Sequence, residues 1–547
     1  MPDTMVAPST AAADTTTFDA IVIGAGIAGI YQLYKLRERG LSVLVFEAGG
    51  GVGGTWYWNR YPGARFDSES YTYGYAFSED LLREWNWSEH FAPQPETERY
   101  LNHVVDRFDL RRDIQCGSRV ASMTWDEAAR HWDVTLDDGR TYRARFVITA
   151  VGPLSADTLP RIPGIGDFKG RSFHTYRWPA ENIDFAGKRV AVIGTGATGV
   201  QVIQTIAPLV GSLTVFQRTP NWCTPLHNKR ITEDEQARIK AGYPAMFELL
   251  RQTPGCYIHN TDPRGTFEVT PEEREAFWER LYAEPGFAIW MANFRDVLTD
   301  LQANALFSAF VAGKIRQRVK DPAVAEKLIP KGHGFGTRRV PQETGYYEAY
   351  NLPHVDLVDT TATPILRVVD AGIECADGVR AFDIIIYATG FDAVLGSFDR
   401  IDVHGVGGVT LKQHWAEGPK TYLGMMSAGF PNLLTIVGPH NASTRCNIPR
   451  CIEQNVDWAS DLLRYAGEHA VTRFECSPDA EAEWSRHVEE LAAGMLYTQV
   501  DSWLTGINTN VEGRDVRRVL QYQGGAPQYR ERCDAVAAAG YAGMVLG

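Results

Sequence analysis

No C-x-x-C pair occurs among the 8 cysteines, which are Cys116, Cys223, Cys256, Cys375, Cys446, Cys451, Cys476 and Cys533. Scattered over 547 residues, they read as buried thiols of a reducing compartment and not as a disulfide framework. No stretch approaches the ~18 consecutive apolar residues of a membrane span. The start, Met1–Thr17 (MPDTMVAPSTAAADTTT), has neither the basic opening nor the apolar stretch of a secretory signal, so it reads as a loose tail. Basic charge is also short. Lys and Arg number 54 against 67 Asp and Glu, a net charge of −13. A protein that tracks nucleic-acid phosphates needs the opposite balance, which argues against a nucleic-acid polymer as partner. The expectation is a cytoplasmic protein with no membrane contact.

What is present is ordinary globular material. Hydrophobic residues make up 44% and charged residues 22%, enough for more than one core, which excludes disorder as the main state. At ~150 residues per domain the length suggests three or four domains. The 51 glycines exceed average usage, and their positions matter.

Phe18–Ile23 (FDAIVI) reads as a buried strand. It runs into Gly24-Ala25-Gly26-Ile27-Ala28-Gly29, then a helical stretch to Arg39, then a second strand from Ser42 to Glu47. Gly24 permits a tight turn, Gly26 lets a pyrophosphate approach the backbone, and Gly29 lets helix and strand pack closely. The helix N-terminus offers N–H donors to phosphate. Glu47 stands where a carboxylate accepts from the hydroxyls of an adenosine ribose. The alternative is a glycine-rich turn in some other α/β unit.

The pattern recurs. The strand Arg189–Ile193 leads into Gly194-Thr195-Gly196-Ala197-Thr198-Gly199, a helix to about Ala207 and a strand from Ser212 to Phe216. Where the first unit has Glu47, the second has Gln217, followed by Arg218 and Thr219. A carboxylate there would repel a 2′-phosphate and an arginine attracts one, so the second site suits NADPH. Arg218 alone also reads as a surface arginine. Two such sites commonly pair a flavin with a nicotinamide, and the site with the acid suits FAD. Arg145–Gly152 and Asp383–Gly390 are apolar strands ending in glycine, similar to the crossover segments of flavin enzymes. A dithiol relay is excluded after Glu47, because the first cysteine in the chain is Cys116.

Between the units, Phe168 to Pro179 (FKGRSFHTYRWP) matches F-x-G-x-x-x-H-x-x-x-W-P. With this motif the sequence resembles the type I Baeyer–Villiger monooxygenases, a group of flavin-containing monooxygenases. The resemblance runs through Gly54–Arg65, Val215–Trp222, Gly336–Arg339, Tyr387–Ala393 and Ser502-Trp503. The stretches QRTPNWCTPL and IRQRVKDPAVAEKLIPK look closest to the branch acting on bulky cyclic ketones. The resemblance implies an α/β fold of two interleaved Rossmann-like domains for FAD and NADPH. It also implies a cycle in which NADPH reduces FAD, dioxygen adds at flavin C4a, and the peroxide attacks a ketone to give an ester or lactone. Oxygenation mainly at nitrogen or sulfur is the alternative activity, and nonenzymatic nucleotide sensing is a third.

The resemblance also assigns roles. Arg339 maps onto the catalytic arginine, and an arginine suits a developing oxyanion because it stays charged. Arg338 maps onto a coenzyme-binding position beside Arg218; by themselves, tandem arginines equally read as a solvated loop. Asp67 maps onto an aspartate near the flavin, placed to hold Arg339. Tyr61-Pro62-Gly63 looks like a turn presenting Arg65 and Asp67. Thr55, Trp56, Trp58 and Tyr73 are expected along the flavin, where core packing is the other reading. Val120 is expected to contact adenine through its backbone. His174 is expected to relay domain movement or control the oxygenating species, and Trp503 to close over the nicotinamide ribose. Cys446 and Asn447 fall in the substrate region.

Thr232-Glu233-Asp234-Glu235 and Thr270-Pro271-Glu272-Glu273 each read as a capping box, and Asp321-Pro322 as another helix start. The expected division is a tail at 1–17, flavin segments at 18–150 and 390–547, coenzyme segments at 151–227 and 332–389, and a helical insertion at 228–331.

Overall fold

The structure is a computed structural model that describes residues 16–441 and 446–547. Most of the expected N-terminal tail lies outside the described residues. Thr17 does not belong to a tail: it opens strand β1, Thr17–Ile23, because its backbone pairs with Arg143.

β1 leads into helix α1, Ile27–Glu38, and strand β2, Val43–Phe46. β1 has four successive buried residues at its C-terminal end, the mark of a central parallel strand covered on both faces. It pairs in parallel with β2 on one side and with Thr141–Thr149 on the other. Among the described residues the sheet has eight strands. Ile114–Gln115 continues it beyond β2, and the antiparallel strands Val120–Asp126 and His131–Leu136 follow Thr141–Thr149. Two strands arrive from far along the chain: Asp402–His404 pairs with Val120–Asp126, and Leu433–Thr435 with Thr141–Thr149.

A second sheet has five parallel strands, in the order Val355–Asp359, Ser212–Gln217, Arg189–Ile193, Ile384–Tyr387 and Arg171–His174. Between its early and late strands runs a helical stretch. The helices Glu233–Gln252 and Pro271–Ala283 begin with the capping boxes of Thr232 and Thr270. Leu301–Arg318 follows, and Asp321 caps Pro322–Leu328. Pro271–Ala283, Leu301–Arg318 and Pro322–Leu328 share one core with the second sheet, through Phe277, Trp278, Phe307, Val311 and Leu328, whereas Glu233–Gln252 packs against the helix Ala526–Ala538.

α1 is buried on several faces because it lies between the first sheet and the helix Ile448–Glu468. Tyr31 Oη donates to Asp457 at 2.7 Å and Gln32 Nε2 to Ser460 at 3.0 Å. The late chain thus returns to cover the element that carries the first glycine motif. Among the described residues no helix is long and apolar enough to cross a membrane.

One expectation about cysteine fails. Cys446 and Cys451 form a disulfide, because the helix that starts between them turns Cys451 back towards Cys446. Cys116 is exposed, while Cys223, Cys256, Cys375, Cys476 and Cys533 are buried free thiols.

Candidate functional site

The first cradle lies where β1 ends. Gly24 adopts φ +104°, a conformation that L side chains avoid, and a Cβ there would come within 2.6 Å of the Ala150 carbonyl oxygen. A Cβ on Gly29 would strike the Gly24 carbonyl. Gly26 caps α1 with no side-chain bond to its first N–H groups, which leaves them free for phosphate. Glu47 follows β2, and its carboxylate accepts from Ala25 N at 2.8 Å and Gly49 N at 2.7 Å. Burial raises its pKa, while those two donors and Arg119 pull it back.

Gly24, Gly26, Glu47, Thr55, Trp56, Trp58, Tyr73 and Val120 all line one cleft. Arg119, Tyr176, Arg177 and Arg400 line it too. None of these four was expected there. Arg119 neighbours Val120, and Tyr176 and Arg177 lie inside the F-x-G motif, so the signal was present; Arg400 had none. Tyr176 stacks on Trp58 with centroids 5.4 Å apart. Arg65 departs from expectation. Its guanidinium donates to Glu89 at 2.9 Å and to the Phe91 carbonyl at 3.1 Å, since the acidic Glu89 lies on that side.

The second cradle repeats the geometry. Gly194 has φ +109°, and Gly199 packs against its carbonyl. Gly196 caps the helix Ala197–Ile206 without a side-chain bond, and a Cβ there would meet only open space. Thr195 Oγ1 donates to the Thr219 carbonyl at 3.0 Å. Thr198 bonds with Tyr61, whose hydroxyl also donates to Gln201 at 2.8 Å. Gln217, in place of an acid, turns inward to the Lys327 carbonyl at 2.7 Å. Arg218 and Arg338 converge beside this cradle. Burial and the charge of Arg218 together press the Arg338 pKa down. Their hydrogen bonds reach the C-terminal segment: Arg218 Nη1 donates to Thr509 at 2.8 Å and Arg338 Nη2 to the Asp501 carbonyl at 2.7 Å. Trp503 follows in that segment and packs against the buried cluster of Ala393, Val394, Leu395 and Leu520.

Arg339 lies where the flavin segments meet the helical stretch. Its Nη2 donates to Asp67 Oδ1 at 2.7 Å. The Phe287 ring lies 4.7 Å from the guanidinium carbon and the Trp290 ring 5.7 Å. Burial works against the Arg339 charge, but Asp67 and Tyr257 outweigh it and raise its pKa. Burial likewise raises the Asp67 carboxyl, against the pull of Arg339. Tyr73 joins this group to the cleft: its hydroxyl accepts from Trp56 Nε1 at 3.0 Å, and its ring stacks on Phe66. Tyr257 and Trp290 open onto a second cavity of about 370 Å³. Tyr257, Phe287 and Trp290 were missed by sequence reasoning because the insertion reads there only as helix and aromatic core.

Cys446 lines the second cavity. Asn447 is turned away, its amide donating to Thr72 Oγ1 at 3.0 Å. His174 ends a strand of the second sheet. Its Nδ1 accepts from Tyr176 N at 3.1 Å, and its ring meets Phe391 edge-on. Burial lowers its pKa, with Asp157 opposing.

A family model described as pyridine nucleotide-disulphide oxidoreductase matches residues 21–282. A Pseudomonas putida 2-oxo-Δ3-4,5,5-trimethylcyclopentenylacetyl-CoA monooxygenase is 47% identical over 98% of this chain and 99% of its own. A phenazine N-monooxygenase of Lysobacter antibioticus is 40% identical over 97% and 98%. The crystal structure of OTEMO with FAD and NADP superposes with a TM-score of 0.94, 47% identity, and coverage of 98% of this chain and 100% of that one. Matching relatives also include proteins named as Baeyer–Villiger, cyclopentanone and cyclohexanone monooxygenases. The chain belongs to the Baeyer–Villiger monooxygenases.

Both cradles of this Baeyer–Villiger monooxygenase fit their cofactors. The helix N-termini at Gly26 and Gly196 carry no side-chain cap, Glu47 lines the first cleft, and Arg218 and Arg338 stand together beside the second cradle, a donor set whose chemistry suits pyrophosphate, ribose hydroxyls and a 2′-phosphate. The enzyme uses FAD and NADPH.

Proposed function

We propose that this monooxygenase converts cyclic or bulky ketones to lactones or esters. The observation that carries the reading is Arg339, held by Asp67 and packed against Phe287 and Trp290, of which Trp290 lines the second cavity. Bound FAD supplies electron transfer from NADPH and the activation of dioxygen. The chain supplies the rest. Gly26 and Gly196 present backbone donors to the two pyrophosphates. Arg218 and Arg338 hold the 2′-phosphate. Arg339 stays cationic and stabilises the oxyanion that develops on the ketone carbonyl. Phe287 and Trp290 cover its face and exclude water, which strengthens that interaction. His174, fixed at the end of its strand by Tyr176 and Phe391, serves as a positioning residue. The cavity of about 370 Å³ has room for a cyclic ketone.

The proposed division of the chain is flavin segments 18–150 and 390–547, coenzyme segments 151–227 and 332–389, and an insertion at 228–331. The late strands that join each sheet support it. A cytoplasmic setting follows from the demand for NADPH. The test is a panel of cyclic, bulky and linear ketones, a thioether and an aromatic N-heterocycle, each with NADPH and dioxygen. Ester or lactone products from cyclic ketones support the reading. Exclusive N- or S-oxygenation overturns it.

A further inference from the structure

Three cysteines from separate stretches meet beside the second cavity. Cys256 follows the helix Glu233–Gln252, Cys446 precedes the helix Ile448–Glu468, and Cys451 lies in that helix's first turn. Their sulfur atoms all lie within 4.8 Å of one another. Cys446 and Cys451 are joined as a disulfide, and Cys256 is a buried free thiol. Cys446 and Cys451 line the cavity. The backbone holds the three together: Asn447 N donates to the Gly255 carbonyl at 2.7 Å, and Cys451 N to the Asn447 carbonyl at 3.3 Å. Ala526 is the other buried member of this cluster. The oxygenation chemistry uses none of the three sulfurs.

We propose that, with the Cys446–Cys451 bond reduced, Cys256, Cys446 and Cys451 bind one soft divalent cation of the zinc–cadmium class and so obstruct the ketone cavity. Thiolate sulfur selects soft and borderline ions over magnesium or calcium. Three sulfurs each about 2.3 Å from one ion stand about 4 Å apart, within the observed envelope. A tetrahedral ion held by three thiolates keeps its fourth position for water or another donor. Burial pushes the Cys256 thiol up to about 11, while Arg530, Arg450 and Arg251 pull it down against Glu453. A cation at the sulfurs tips that balance towards thiolate. Opening the disulfide takes two electrons from an added phosphine and two protons from water, whose oxygen leaves on phosphorus as the phosphine oxide. Ion binding then displaces one proton from each thiol. The oxidised protein has only one of the three donors, so the site exists in one redox state.

The test uses full-length, flavin-loaded protein, reduced with a phosphine that is then removed, and titrated with Cd²⁺ alone. One ion per chain is expected, with ultraviolet thiolate-to-cadmium absorption and proton release. One equivalent also raises the KM for ketone in reduced protein and leaves the oxidised protein unaffected. Cys256→Ser and Cys451→Ser each weaken binding by roughly tenfold or more, while Cys116→Ser, outside the cluster, leaves it unchanged. The oxidised protein is a control that needs no mutation. The proposal is overturned if reduced protein takes up no ion at one equivalent, if oxidised protein binds equally well, or if Cys256→Ser binds as tightly as the parent. The binding arm does not depend on which substrate is oxygenated.

Discussion

At the scale of single residues, the site turns on cations with unequal support. Arg339 has a carboxylate at 2.7 Å and an aromatic face, so it is fixed before substrate arrives. Arg339→Ala is expected to lower ester formation by roughly 100-fold or more while NADPH oxidation continues. Product analysis alongside coenzyme consumption reads both, and retained oxygenation removes Arg339 from its role. Arg218 is held only loosely, by a threonine hydroxyl, and is free to turn to a phosphate. Charge-assisted hydrogen bonds contribute about 1.5–3 kcal/mol, or roughly 10–100-fold. Arg218→Ala should therefore raise the KM for NADPH by that factor and leave that for NADH nearly unchanged in steady-state kinetics. Surviving NADPH preference would sink the assignment.

At the scale of elements, two devices govern the helices that matter. Glycine permits contact: Gly199 touches the Gly194 carbonyl because it has no Cβ. Gly199→Ala forces the helix Ala197–Ile206 off its strand, so coenzyme affinity should fall sharply while flavin stays bound. Coenzyme titration of flavin-loaded protein checks this. Capping governs the insertion. Thr232 Oγ1 accepts from Glu235 N at 3.3 Å, and the Glu235 carboxylate accepts from Thr232 N at 2.9 Å. Thr232→Ala costs about 1 kcal/mol. Amide exchange in the first turn of Glu233–Gln252 should accelerate roughly fivefold, with no change in the second sheet.

At the scale of the whole molecule, buried histidines set the response to acid. Burial holds His440 down to about 4, with the Val519 carbonyl opposing. Burial and then Arg338 hold His333 at about 3. Both stay neutral in the fold, whereas the unfolded chain protonates them near pH 6.5. Stability is therefore fully present above about pH 6.5. It is lost as pH falls towards about 4 for His440 and about 3 for His333, at about 1.4 kcal/mol per pH unit for each. Thermal unfolding followed from pH 7.5 to 5 should show this slope. His440→Gln should flatten it, and an unchanged slope would discard the account.

The sequence by itself determined both nucleotide cradles. Their strand, glycine turn and helix are contiguous, so the constraints on Gly24, Gly29, Gly194 and Gly199 act within a few residues. The capping boxes at Thr232 and Thr270 were legible for the same reason. Only the tertiary structure decided what faces Arg339, because Asp67 lies 272 residues away and Phe287 and Trp290 come from the helical stretch. It also turned Arg65 to Glu89 and Asn447 to Thr72, and it brought Cys256 to Cys446 and Cys451. Such contacts depend on how distant segments pack, and a local pattern holds no information about which partner a buried polar or sulfur group will meet.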